Sequence, residues 1–188
     1  MDPYVATKKA LLANELSNNL RAAYRFSDAK GGNSGLSFGI TQLDVSNNSA
    51  AVKCLVECGF TPSEIAQLKS KSGDLTALSA KLAAHATVVD KYDQAQIKEC
   101  VDHVMTVAKS RGFTFANDEA IVHAADYHNQ FFMSNGGKMA NALVNLGRPV
   151  VSTDILNEAL ATLWGKKEPG DVKRRYSNIA MIFAEQQA

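Results

Sequence analysis

Residues 25–48, RFSDAKGGNSGLSFGITQLDVSNN, are the stretch that a helix cannot absorb. Four of the twelve glycines fall between residues 31 and 39. Glycine weakens a helix interior and supplies the backbone freedom of tight turns. Gly31-Gly32-Asn33-Ser34-Gly35 therefore predicts a turn, and residues 36–43, LSFGITQL, a short extended segment after it. Phe38, Ile40 and Leu43 alternate only partly with Gly39, Thr41 and Asp44, so the strand is short and one-sided.

Elsewhere the apolar spacing is helical. Residues 4–24 place Val5, Leu12, Leu16, Leu20 and Ala23 on one helix, with Asp2-Pro3 as its start. Residues 50–59 predict a helix capped by Gly59, and Thr61-Pro62-Ser63-Glu64 opens the next. Further helices are expected over 74–92, 93–112, 117–132, 138–147, 152–165 and 171–186. The fold class is thus mostly α (α+β). A single domain over residues 1–188 is expected, with a small glycine-rich β or loop lobe at 26–48 and a helical lobe at 50–188.

Composition narrows the partners. A formal net charge of +1 supplies no field for nucleic acid, and the longest apolar runs are far too short to span a bilayer. Residues 1–16 lack the apolar core and cleavage site of a secretory signal, so a cytoplasmic protein, released or delivered elsewhere by other means, is expected. Cys54, Cys58 and Cys100 make an odd count without CxxC spacing and read as buried, reduced core residues. The four histidines show no paired metal-ligand spacing, and GGNSGLSFG lacks the Gly-Lys-Ser/Thr of a phosphate loop. No metal or cofactor is expected. Lys166-Lys167 and Lys173-Arg174-Arg175 form the one basic cluster, either a contact for an anionic glycan or a solvated helix start.

Three carboxylates surround the glycine-rich stretch: Glu15 on the first helix, Asp28 before the turn, and Asp44 at the end of the extended segment. A helix-borne acid facing carboxylates on a hairpin suits glycoside hydrolysis. One group protonates the leaving oxygen while another, ionised, activates water or stabilises the oxocarbenium-like centre.

FGITQLD, residues 38–44, is similar to the F-G-L-M-Q-V-D segment of goose-type lysozymes, relatives of the lytic transglycosylases. The resemblance covers residues 15–44 and implies a lysozyme-like fold that cleaves β-1,4 bonds between amino sugars of peptidoglycan. It implies Glu15 as general acid, Asp28 and Asp44 as the water-positioning aspartates, and Gly39 and Gln42 as the motif's substrate-facing glycine and amide. The related plan of phage lysozymes and chitosanases would have Asp28 hold water with Ser37 or Thr41. IVHAADYHNQF, residues 121–131, looks like the A-x-x-Y-N helix of the lytic transglycosylases. It implies Tyr127 and Asn129 as substrate contacts, with His128 inserted between them. DVKRRYSNIAMIF resembles the R-R-x-x-E segment of phage endolysins, with Asn178 at the glutamate position. Peptidoglycan strands are the implied partner of a monomeric enzyme, and a protein inhibitor a further one. A lytic transglycosylase, a chitosanase-like enzyme and a non-catalytic helical effector or adaptor stay open as alternatives.

Overall fold

The computed structural model describes residues 1–28 and 34–186. The Gly31-Gly32-Asn33 part of the expected turn lies outside the described residues. The described chain is mostly helical with a small three-stranded antiparallel sheet. It forms two compact units: residues 15–96, here the sheet unit, and residues 1–14 with 97–188, the helical unit.

In the sheet unit a 3-10 turn, Leu20–Tyr24, leads into β1 (Ser27–Asp28), β2 (Leu36–Phe38) and β3 (Leu43–Asp44), paired in the order β1-β2-β3. Helices α2 (Ser49–Glu57), α3 (Pro62–Lys69) and α4 (Leu75–Ala83) follow. Their starts are side-chain caps. Asn48 accepts the Ala50 N–H, Thr61 and Glu64 bond each other's backbone N–H in a capping box, and Asp74 accepts from Thr76 and Ala77. Leu36, Phe38, Leu43, Leu55, Leu68 and Leu82 are fully buried together, with Cys54 and Cys58 beside them. All three cysteines are buried and none is bridged, in line with the core role that their spacing suggests.

The helical unit contains most of α1 (Pro3–Leu16), most of α5 (Ala86–Arg111), and α6 (Asp118–Phe131), α7 (Lys138–Val144), α8 (Ser152–Ala161), α9 (Leu163–Lys167) and α10 (Pro169–Ala184). Its main core joins Val104 and Val107 of α5 to Ala124 of α6, Leu143 of α7 and Ile155 of α8. No helix among the described residues is long and apolar enough to cross a membrane.

Two expected helices are redrawn. The first stops at Leu16, not residue 24, because Ser17 and Asn18 adopt φ of 50° and 63°. Two left-handed residues in succession end a right-handed helix, and leave Leu20 exposed instead of on the core stripe. The break expected between Tyr92 and Asp93 falls instead at Ala84–His85, and α5 runs unbroken through Asp93.

Candidate active site

Glu15 lies in the last turn of α1 and is half-buried. The preceding residue, Asn14, is one of the most tightly held in the helical unit. Its Nδ2 donates to Asp126 Oδ1 (3.0 Å), its Oδ1 accepts from Asn178 Nδ2 (2.9 Å), and its carbonyl accepts from Arg174 Nη2 (3.2 Å). Asp126 in turn accepts two bonds from Arg175, from Nε (2.9 Å) and Nη2 (2.7 Å), with both side chains buried. Two donors on Oδ1 and one on Oδ2, two of the three from a single guanidinium, orient the carboxylate in one plane. Arg175 thus leaves the basic cluster read from the sequence, and Arg174 pairs with Asp171.

The sheet separates the two aspartates. Ser27 pairs with Ser37 and Ser37 with Asp44, whereas Asp28 pairs with Leu36 and Phe38 with Leu43. Since side chains alternate along a strand and match across a pair, Ser27, Ser37 and Asp44 share a polar face. Asp28 sits at the outer edge of the opposite, apolar face. It is half-exposed and paired with Lys71 (Nζ to Oδ1, 2.6 Å). Asp44 accepts from the N–H groups of Gly35 (3.0 Å), Ser46 (2.7 Å) and Asn47 (3.1 Å), and from Asn47 Nδ2 (2.9 Å). Burial alone would raise its carboxyl, but these donors outweigh it and hold Asp44 below the usual carboxylate range. Asp44 is therefore a fixed anion that organises the end of the sheet. Asp28 keeps the more accessible carboxylate.

Between β2 and β3 the chain turns around a group that the sequence reading passed over. Asp93 of α5, 1% exposed, accepts the Ile40 N–H (2.8 Å), the Thr41 N–H (3.0 Å) and the Thr41 hydroxyl (2.8 Å). Burial pushes its carboxyl up, against the pull of those donors. Gly39 has φ +80°, and a Cβ there would stand 2.6 Å from Asp93 Oδ1. The close approach this glycine allows is thus to Asp93. Gln42 adopts φ 54°; its Nε2 donates to the Gly39 carbonyl (2.9 Å) and its Oε1 accepts from the Ser27 hydroxyl (3.1 Å). Ser37 is buried on the polar face. The turn that resembles the lysozyme motif is held rigid from behind, with Thr41 and Gln42 both bonded inside the protein.

Tyr127 and Asn129 lie on α6 of the helical unit. Tyr127 packs against that unit's core and burial raises its phenol, while Asn129 Oδ1 faces the Cys100 thiol at 3.8 Å. Next to them, α5 and α6 bring together Glu99, His103 and His128, whose ligand-type atoms lie within 4.8 Å of one another. Their bonding is that of a closed network. His128 Nδ1 accepts the Met133 N–H (3.2 Å), which places the proton of the neutral ring on Nε2, facing Glu99 Oε2 at 3.2 Å. His103 Nε2 meets the Met133 carbonyl at 2.8 Å, as a donor. A metal on His128 Nε2 would drive that ring's proton to Nδ1, against the Met133 N–H. The donor set therefore suits a hydrogen-bonded cluster better than a metal centre.

His123, also on α6, is 5% exposed and stacks on Tyr176 with ring centroids 4.6 Å apart. Its Nε2 has no hydrogen-bond partner among the described residues, and burial lowers its pKa to about 4. The folded state thus holds this histidine neutral, whereas the unfolded chain takes up a proton near pH 6.5. Stability should be flat above that pH and fall as pH drops from about 6.5 to about 4, by on the order of 3 kcal/mol from this group. Urea unfolding at a series of pH values checks this. His123→Phe should lose this part of the acid sensitivity; an unchanged pH profile in that variant would refute the assignment.

Compared with protein-family models, with curated proteins and with solved structures, the chain matches none of them.

Proposed function

We propose that the protein is a glycoside hydrolase that cleaves β-1,4 bonds between amino sugars, of the kind found in peptidoglycan, on a lysozyme-like fold. The observation that carries the proposal is the rigid turn at residues 39–42, in the unit that also contains the half-buried Glu15. Glu15 follows a residue fixed by three hydrogen bonds, and the Gly39–Gln42 turn is clamped by Asp93. Acid catalysis on a glycosidic bond needs this sort of preorganisation, because the acid must meet the leaving oxygen without reorganising. Glu15 is assigned as general acid. Asp28, with the more accessible carboxylate, is assigned to position the water, and Asp44 to hold the sheet's polar face, where Ser37 and Gln42 lie.

Isolated peptidoglycan sacculi, incubated with the protein and examined by mass spectrometry, provide the test. Soluble fragments with free reducing ends are expected. Anhydro ends would instead show a lytic transglycosylase, and sacculi left intact would refute both. Because wall glycan lies outside the membrane, delivery by a phage lysis system or a secretion apparatus fits the proposed activity.

One observation favours a second role, that of an adaptor or inhibitor-binding surface. In the helical unit Leu163 is 89% exposed beside Trp164 and Phe131, around a cavity of about 430 Å³. Large apolar side chains clustered at a surface mark docking faces more often than chance exposure does.

A further inference from the structure

The sheet unit contains a cavity of about 600 Å³. One wall is Arg21, Tyr24, Arg25 and Phe26, from the 3-10 turn and its exit. The other is a face of α4 that presents Thr76 and Ser79. Among the described residues no aspartate or glutamate lines it. Lys71, Lys81 and Lys91 of the same unit each hold a carboxylate, but the guanidinium groups of Arg21 and Arg25 have no partner among the described residues. The wall between them is fixed. The Tyr24 hydroxyl donates to Asp90 (2.8 Å), and the Phe26 N–H donates to Ser79 Oγ (3.2 Å), which leaves the Ser79 hydroxyl proton for another acceptor.

Two unpaired guanidinium groups on an aromatic wall, with hydroxyls opposite, select a ligand that joins carboxylates to a compact body with an apolar face. The cavity also adjoins the proposed site along the chain: Arg25-Phe26 runs directly into Ser27–Asp28 of β1. We infer that this cavity is the subsite for carboxylate-bearing substituents of the glycan, with Arg21 and Arg25 as their partners. The inference rests on the glycoside-hydrolase proposal and deepens it. Among amino-sugar polymers, polycationic chitosan would be repelled here and neutral chitin would gain nothing from the arginines. A glycan whose lactyl groups carry a free carboxylate, or a stem peptide with its own carboxylates, gains from them.

The experiment uses the full chain carrying Glu15→Gln, to prevent turnover, with and without Arg21→Gln and Arg25→Gln. Binding of N-acetylmuramyl dipeptide, an acidic probe, and of chitotriose, a neutral one, is measured by calorimetry. Loss of both arginines should weaken the acidic probe about tenfold or more and leave the neutral one unchanged. Both side chains are exposed, so circular dichroism should show an unaltered fold. Equal affinity for the acidic probe in the two proteins, or none at millimolar concentration in the Glu15→Gln protein, would overturn the subsite. Sacculi digested at the wild-type rate by the double arginine variant would likewise overturn it and leave the hydrolase standing. Arginine-dependent binding of the acidic probe, together with sacculi left intact by the wild-type protein, would uphold the carboxylate site and end the hydrolase proposal.

Discussion

Glu15→Gln is expected to reduce glycan cleavage by roughly 10²-fold or more, to below detection in a sacculus assay, with the fold unchanged. The substitution keeps the volume and the hydrogen-bonding length of the side chain, and takes away only its capacity to hold and give a proton. Release of soluble fragments reads the activity, and the thermal midpoint reads the fold. Retained activity would remove Glu15 from the mechanism. The aspartates should divide by their bonding. Asp28→Asn disturbs one half-exposed ion pair, so its effect should fall on rate with little loss of stability. Asp44→Asn sets an amide among donors that now bond a carboxylate, so loss of sheet order should come first.

Arg175→Met should destabilise the helical unit by about 3–5 kcal/mol, because it leaves the buried Asp126 carboxylate without a countercharge. Asn14 Nδ2 would then be the one remaining donor of those described above, and a neutral amide does not compensate a buried charge. Calorimetry should show a midpoint lower by on the order of 10 °C. Pairing the change with Asp126→Leu removes the stranded charge and should recover most of the loss. Failure to recover would mean that the network's shape matters more than its charge balance.

Helix ends were legible where their chemistry is local. The Thr61–Glu64 capping box stands where the sequence places it, and Gly59 and Gly112 take the positive φ values of helix stops. The boundary between α4 and α5 was not legible, because no glycine or proline marks Ala84–His85 and the apolar period continues on both sides. Taking Asp93 as a helix start hid its role. Within an unbroken helix it falls on the stripe of Val89, Ile97 and Cys100, all buried, and a carboxylate in such a stripe must find donors elsewhere in the chain. The Asn14–Asp126–Arg175 network had no local signal, since its members lie 112 and 49 positions apart and only tertiary packing pairs them. The three carboxylates at 15, 28 and 44 were easy to find by residue type. That the sheet turns two of them to opposite faces depends on register, which the glycine-rich approach does not reveal.

The clamp of Asp93 on the Gly39–Gln42 turn also has a consequence for the chain while it is being made. Ile40 and Thr41 are synthesised 53 and 52 residues ahead of the carboxylate that satisfies them. At ordinary elongation rates the ribosome takes roughly 3–10 s to cover that interval. For those seconds the Ile40 and Thr41 N–H groups lack the carboxylate that satisfies them, in a segment whose apolar residues Phe38, Ile40 and Leu43 invite pairing with other nascent strands. Gly39 interrupts them. The residue that later makes room for Asp93 thus also keeps the segment from behaving as a continuous strand before its partner exists.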